Sequence, residues 1–195
     1  MNNVIQRVEK HFIKPSHPFY SLILDFCKAS KDLYNHANYI VRQNFVESSL
    51  WVRYKDLDKQ LKNDKEYPDY RNMPTAQSAQ QCLKLLEKSW ISFFKSIKDW
   101  SLHKDKYLGR PKMPKYKKKN GLFILVLTNQ ECRLRGDILR FPKVFNSFSI
   151  KTRITEKEDF LPSNRSGLSQ VIIELSRKWY ITLNLSLLER IMTES

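Results

Sequence analysis

The sequence predicts an α+β fold, a small β-barrel interrupted by a helical domain. Two changes of hydrophobic period carry the prediction. Residues 4–14 alternate in steps of two, residues 19–103 repeat in steps of three and four, and alternation returns after 122. A lone N-terminal strand is not stable by itself. It is therefore expected to pair with the later strands, which makes the helices an insertion. The expected division is a barrel over 1–15 and 121–188, a helical domain ending in a basic linker over 16–120, and a tail over 189–195.

In the first strand Val4, Val8 and Phe12 fall on one side, with Gln6 and Lys10 between them. Pro15 and Pro18 end it, and Ser16 is a candidate N-cap for the helix that follows. Phe19, Leu22, Ile23, Phe26, Leu33, Ala37, Ile40 and Val41 form that helix's apolar stripe. A shorter amphipathic helix over 50–63 would turn Trp51, Tyr54, Leu57 and Leu61 inward, and 64–74 reads as a loop. Thr75 can cap the longest helix, whose stripe runs Ala79, Cys82, Leu83, Leu86, Trp90, Phe93, Phe94, Ile97, Trp100. The aromatic residues of that stripe are expected to pack against the first long helix.

Beyond residue 122, the run 122–127 suits a buried strand, and 132–141 reads as two short strands around Gly136-Asp137. Phe148, Ile150, Thr152 and Ile154 alternate with Ser149, Lys151 and Arg153, a strand with a basic outer face. Residues 155–168 read as a polar loop. Two further alternating runs, Val171 to Leu175 and Trp179 to Leu185, suggest a hairpin turning near 176–178.

The chain carries a net charge of +15 over 195 residues, which favours DNA, RNA or an anionic membrane face as partner. No apolar run approaches the ~20 residues of a spanning helix, and the N-terminus lacks a signal-peptide core. Cys27, Cys82 and Cys132 are odd in number and far apart, so reduced thiols in a cytoplasmic, nucleoid-associated protein are expected.

The charge concentrates in KDKYLGRPKMPKYKKKN, residues 104–120. Gly109 and Pro111 stop the incoming helix, and Pro114 keeps another from starting. The segment is therefore expected to be extended, to bury little, and to set Arg110, Lys112, Lys115, Lys117, Lys118 and Lys119 along a line that suits phosphates. Tyr116 is placed to stack on an unpaired base. A solvated basic loop is the plainer reading of the same residues. On the first long helix, Lys31, Asn35, Asn38 and Arg42 offer charge for phosphates and amides for base edges. Such residues equally suit any wet helix face. Lys151 and Arg153 join the candidate nucleic-acid contacts.

No catalytic, metal or cofactor site is expected. Asp25, Asp32 and Glu47 lie on a packing helix, Asp56 and Asp58 point apart, and Glu156, Glu158 and Asp159 cluster in a loop without histidine. The four histidines are scattered.

Three stretches in order, SKDLYNHANYIVRQNF (30–45), AQSAQQCLKLLEKSWISFFKSIK (76–98) and GRPKMPKYKKKNG (109–121), resemble TnpB proteins. These are transposon-encoded, RNA-guided DNA endonucleases of prokaryotes, related to type V CRISPR effectors. The resemblance spans nearly the whole chain. It implies a wedge domain, an OB-like barrel, interrupted by a helical recognition domain. It also implies a guide RNA and a double-stranded DNA target as partners, with no small-molecule substrate and no membrane. Gln80 and Thr128 stand at positions that touch the DNA motif flanking the target in that family. The family's three catalytic acids and zinc ribbon have no counterpart in these residues. The chain is thus expected not to cut DNA by itself, unless a separate nuclease-domain polypeptide completes it. A guide-independent DNA-binding transcriptional regulator, or another transposon-associated DNA-binding protein, is the alternative.

Overall fold

The computed structural model describes residues 3–153, 168–175 and 181–191. The chain is mixed α+β, with helices α1 (Tyr20–Ser48), α2 (Tyr54–Lys62) and α3 (Ala76–Leu102). The strands are β1 (Asn3–Ile13), β2 (Leu125–Thr128), β3 (Arg133–Arg135), β4 (Ile138–Arg140), β5 (Ser149–Lys151), β6 (Leu168–Leu175) and β7 (Ile181–Ile191). Two compact units result, Met1–Lys28 with Leu122–Ser195, and Ala29–Gly121. The division between them falls within α1, at 28/29.

In the first unit the opening strand meets the last one. β1 pairs antiparallel with β7 from Asn3↔Ile191 to Ile13↔Ile181, and the sheet order is β1-β7-β6-β2. Glu189, Arg190 and Ile191 continue this ladder rather than trailing off as a tail. β3, β4 and β5 make a separate three-stranded antiparallel sheet. Among the described residues no closed barrel forms. The expected loop at 155–168, except Leu168, and the turn at 176–178 lie outside the described residues, as do Ile154, Trp179 and residues 192–195.

The β3–β4 connection is the two-residue turn Gly136-Asp137, with Arg135 opposite Ile138. Gly136 sits at φ +58° and Asp137 does not share a positive φ, the pattern of a type II′ turn, which takes Gly first. The order Gly-Asp, rather than the commoner hairpin pair Asp-Gly, is the one this turn takes.

Beneath this sheet lies a chain of rings. Phe141 meets Phe148 and Phe145 with centroids 4.7 and 5.5 Å apart, and Phe19 and Phe26 reach Phe148 and Phe145 at 5.1 and 4.9 Å. Asn146 and Ser147, both at positive φ, make the tight turn that points Phe145 and Phe148 inward. Ser16 is not the N-cap of α1. The helix begins with the Ile23 amide donating to the Phe19 carbonyl, and the His17 ring accepts from the Phe19 amide at 3.3 Å. Ser16 stands about a turn too early.

The second unit is built around Trp90, which is fully buried. Phe45, Phe93 and Phe94 ring it at 5.6–5.7 Å, and Trp51 stacks edge-on against Phe94. Leu33, Ala37 and Val41 of α1, Leu57 and Leu61 of α2, and Ala79, Cys82, Leu83 and Leu86 of α3 complete the core. Ala37 and Ala79 are both fully buried in it. α3 starts at a capping box: Thr75 Oγ1 accepts from the Ser78 amide at 3.0 Å while Ser78 Oγ accepts from the Thr75 amide. Trp100 departs from the expected packing, lying under Lys104 and Arg110 at 5.4 and 5.9 Å.

Candidate nucleic-acid interface

Residues 110–118 form neither helix nor strand, in keeping with two prolines three residues apart. They are nonetheless held in place. Side chains of α1 grip the segment's backbone one after another. Lys31 Nζ donates to the Lys119 carbonyl at 2.8 Å, and Asn38 Nδ2 and an Arg42 guanidinium nitrogen both donate to the Pro114 carbonyl at 3.1 and 2.9 Å. Asn35 treats Lys117 as a neighbouring strand would. Its Nδ2 donates to the Lys117 carbonyl at 3.0 Å and its Oδ1 accepts from the Lys117 amide at 2.7 Å. The segment is a strap along α1: it buries little, as expected, since none of residues 104–120 is buried, but its backbone is tied down by hydrogen bonds.

The physical need is plain. An extended chain without a sheet partner leaves its carbonyls and amides unpaired, and those facing protein must be satisfied by side chains. Asn38 links the strap to the core, because its Oδ1 accepts from Trp90 Nε1 at 3.1 Å while its amide reaches Pro114. The indole only donates and the carbonyl only accepts, so the amide's orientation is fixed.

Four residues expected to face nucleic acid thus turn to the strap. Asn38 has no exposure and Lys31 only 8%. Lys31 also pairs with Asp32 Oδ1 at 2.8 Å. Arg42 lies over the Tyr116 ring at 5.2 Å, and Asn35 is half-buried. The strap itself divides. Lys112, Lys115, Lys118 and Lys119 are exposed, whereas the Lys117 ammonium lies 4.6 Å over the Tyr34 ring, where burial pulls its pKa down. Arg110 is exposed beside Trp100. Lys112, Lys115 and Lys118 recur at every third residue, about 10 Å apart on an extended chain at roughly 3.3 Å per residue.

Between strap and α3 runs a groove of about 480 Å³. Ser89, Ser92 and Ser96 give one wall its hydroxyls, Phe93 and Tyr34 its rings, and Lys112, Lys115 and Tyr116 the opposite rim. Tyr116 is 46% exposed, so one ring face has Arg42 beside it while ring area remains open to solvent. The serine wall was missed in the sequence. Its signal was present, since hydroxyls at 89, 92 and 96 follow the helical step beside the apolar stripe.

The remaining candidates lie elsewhere. Gln80 is half-buried on α3. In the first unit, the amide and hydroxyl of Thr128 both donate to Glu131 Oε2, at 2.7 and 3.0 Å. Lys151 is exposed and reaches Asp137 at 3.3 Å. Arg153 is exposed, and its amide donates to the Glu9 carboxylate at 3.0 Å. Among the described residues no helix is long and apolar enough to cross a membrane, and no group of three His, Cys, Asp or Glu is placed to hold a metal. No protein-family model matches the chain, and neither does any curated protein sequence.

Proposed function

We propose that this chain is a nucleic-acid-binding module whose strap lies against a phosphate backbone. The observation that carries the reading is the division of labour along residues 110–119. The carbonyls of Pro114, Lys117 and Lys119 are tied down by α1 while Lys112, Lys115, Lys118 and Lys119 stay in water. A strap whose backbone is already held forfeits little backbone freedom on binding, which favours affinity. Tyr116 and the serine wall suit an unpaired nucleotide: a ring for the base, hydroxyls for sugar or phosphate.

We further read the module as the nucleic-acid-binding front part of a TnpB-like, RNA-guided DNA-targeting protein, with a guide RNA and a double-stranded DNA target as partners. Pairing with the guide supplies sequence, and the protein supplies shape and a short flanking motif. The antiparallel pairing of β1 with β7 around an inserted helical unit is compatible with a small barrel of wedge type. Gln80 and Thr128 are the proposed flanking-motif contacts, and Thr128 must give up Glu131 to make one. The proposal includes that this chain alone does not cleave DNA. The alternative of a guide-independent regulator that places its first long helix in a DNA groove is weakened, because the α1 face with Lys31, Asn35, Asn38 and Arg42 is occupied by the strap.

The test is Lys115→Gln, Lys118→Gln and Lys119→Gln combined, with Lys117 left in place over Tyr34. Binding is followed over a salt series on single-stranded RNA and on a DNA duplex. The dependence of log K on log salt should flatten by up to about 0.7 per lost contact on the single strand and about 0.9 on the duplex, alike for all sequences. An unchanged slope in a folded variant sinks the reading. A mobility-shift assay with and without the guide RNA then separates guided from guide-independent binding.

A further inference from the structure

We propose that the outer face of the β3-β4-β5 sheet is a second phosphate-backbone site, carried by Arg133, Arg135 and Arg140. This rests on the nucleic-acid reading above but on different residues, in the other unit of the chain. β3 and β4 alternate around buried Leu134 and Leu139, which leaves the three arginines exposed on one face. Arg133 and Arg140 are direct cross-strand partners. Directly opposed residues bring their Cβ atoms within about 5 Å, and like charges there destabilise a sheet. A three-residue strand pair has little stability to spare, so the repulsion calls for a compensating anion.

Among the described residues no ion pair reaches any of the three arginines. Of the nearby acids, Glu131 accepts from Thr128 and Asp137 pairs with Lys151. The arginines line a hollow of about 350 Å³ with Gln130, Glu131, Phe141, Pro142 and Lys143, in which one carboxylate, that of Glu131, stands against four cations. The choice of cation points to the ligand. The strap segment, residues 104–120, uses seven lysines and one arginine, whereas β3 and β4 use three arginines and no lysine. Lysine is a point charge, but the planar guanidinium offers two parallel N–H groups that match phosphate oxygens. Two opposed forks with a third two residues along suit consecutive phosphates of one strand, held in fixed register.

The experiment uses the full chain with Arg133→Gln, Arg135→Gln and Arg140→Gln combined. Anisotropy titrations over a salt series employ a thirty-nucleotide single-stranded RNA and a DNA duplex of equal length, with a thermal melt alongside. On the single strand the salt slope should flatten by up to about 2, three contacts at about 0.7 each. The loss should add to that of the strap variant, because different contacts are removed. The melting temperature should stay level or rise as the Arg133–Arg140 repulsion goes. The corresponding triple lysine variant should keep the slope but lose affinity. An arginine variant that binds with the wild-type slope while the strap variant does not overturns this inference and leaves the first reading standing. An earlier melt overturns it too, by showing the arginines to be structural. A wild-type chain that binds neither probe overturns both.

Discussion

Asn35→Ala separates the two things the strap is argued to provide, position and charge. The substitution removes both hydrogen bonds to Lys117, at 3.0 and 2.7 Å, and touches no cation. At a net of about 0.5–1.5 kcal/mol for each bond, docking of the strap should weaken by about 1–3 kcal/mol. Each 1.4 kcal/mol is a factor of ten, so the undocked population should grow by about 5- to 150-fold. The Lys117 amide reports it directly, because its exchange with solvent follows local opening. Core amides of α3 should be unaffected, since Trp90 keeps its partner in Asn38. Nucleic-acid affinity should fall by no more than the same factor, with an unchanged salt slope because every cation remains. Asn35→Asp should fall on the same side, as its carboxylate still accepts from the Lys117 amide but repels the carbonyl. Wild-type exchange at Lys117, or a flattened slope, would refute the reasoning.

Four further outcomes are expected. Thr75→Ala should cost about 0.5–2 kcal/mol in a urea titration, because the capping box at the start of α3 is lost. Asn38→Ala should cost about 1–3 kcal/mol or more, since it leaves buried Trp90 Nε1 without its acceptor. Burial pushes the Cys27 and Cys82 thiols up to about 12 and raises Cys132 as well. A raised thiol pKa leaves only about one thiolate in ten thousand at pH 8, so a thiol reagent should stay nearly silent on the native chain and modify all three cysteines on unfolding. Rapid native reaction would contradict this. Finally, the purified chain with Mg²⁺ and guide RNA should leave duplex DNA intact on a gel. Cutting that persists through repurification and is lost with one named acid would reverse that part of the proposal.

Much of the architecture was legible because periodicity reports burial. The stripe through Ala79, Leu83, Leu86 and Trp90 could only be a packed helix, and Thr75 marks its start by the chemistry of its hydroxyl. The alternation at 4–14 and after 168 gave strands that pair in the structure, β1 with β7 and β6 with β7. Ser16 misled because a good capping side chain fixes a helix start only if the backbone turns there, and Pro18 with the His17 ring moves that turn to Phe19. The tail misled because 189–191 have partners in β1, nearly the whole chain away.

The basic segment shows where sequence alone runs out. Its composition determined that residues 104–120 are cationic and that 110–118 cannot be helical. The spacing of Lys31, Asn35, Asn38 and Arg42 determined that they share a helix face. What that face meets was undetermined, because an amide or a cation donates equally well to water, a phosphate or a peptide carbonyl. Only the tertiary structure brings Pro114 and Lys117 alongside, some 70 to 80 residues distant in the chain, and directs those donors inward. The same folding decides which lysines remain outside. Charge is a property of the residue, but its availability to a ligand depends on which backbone groups had to be satisfied first.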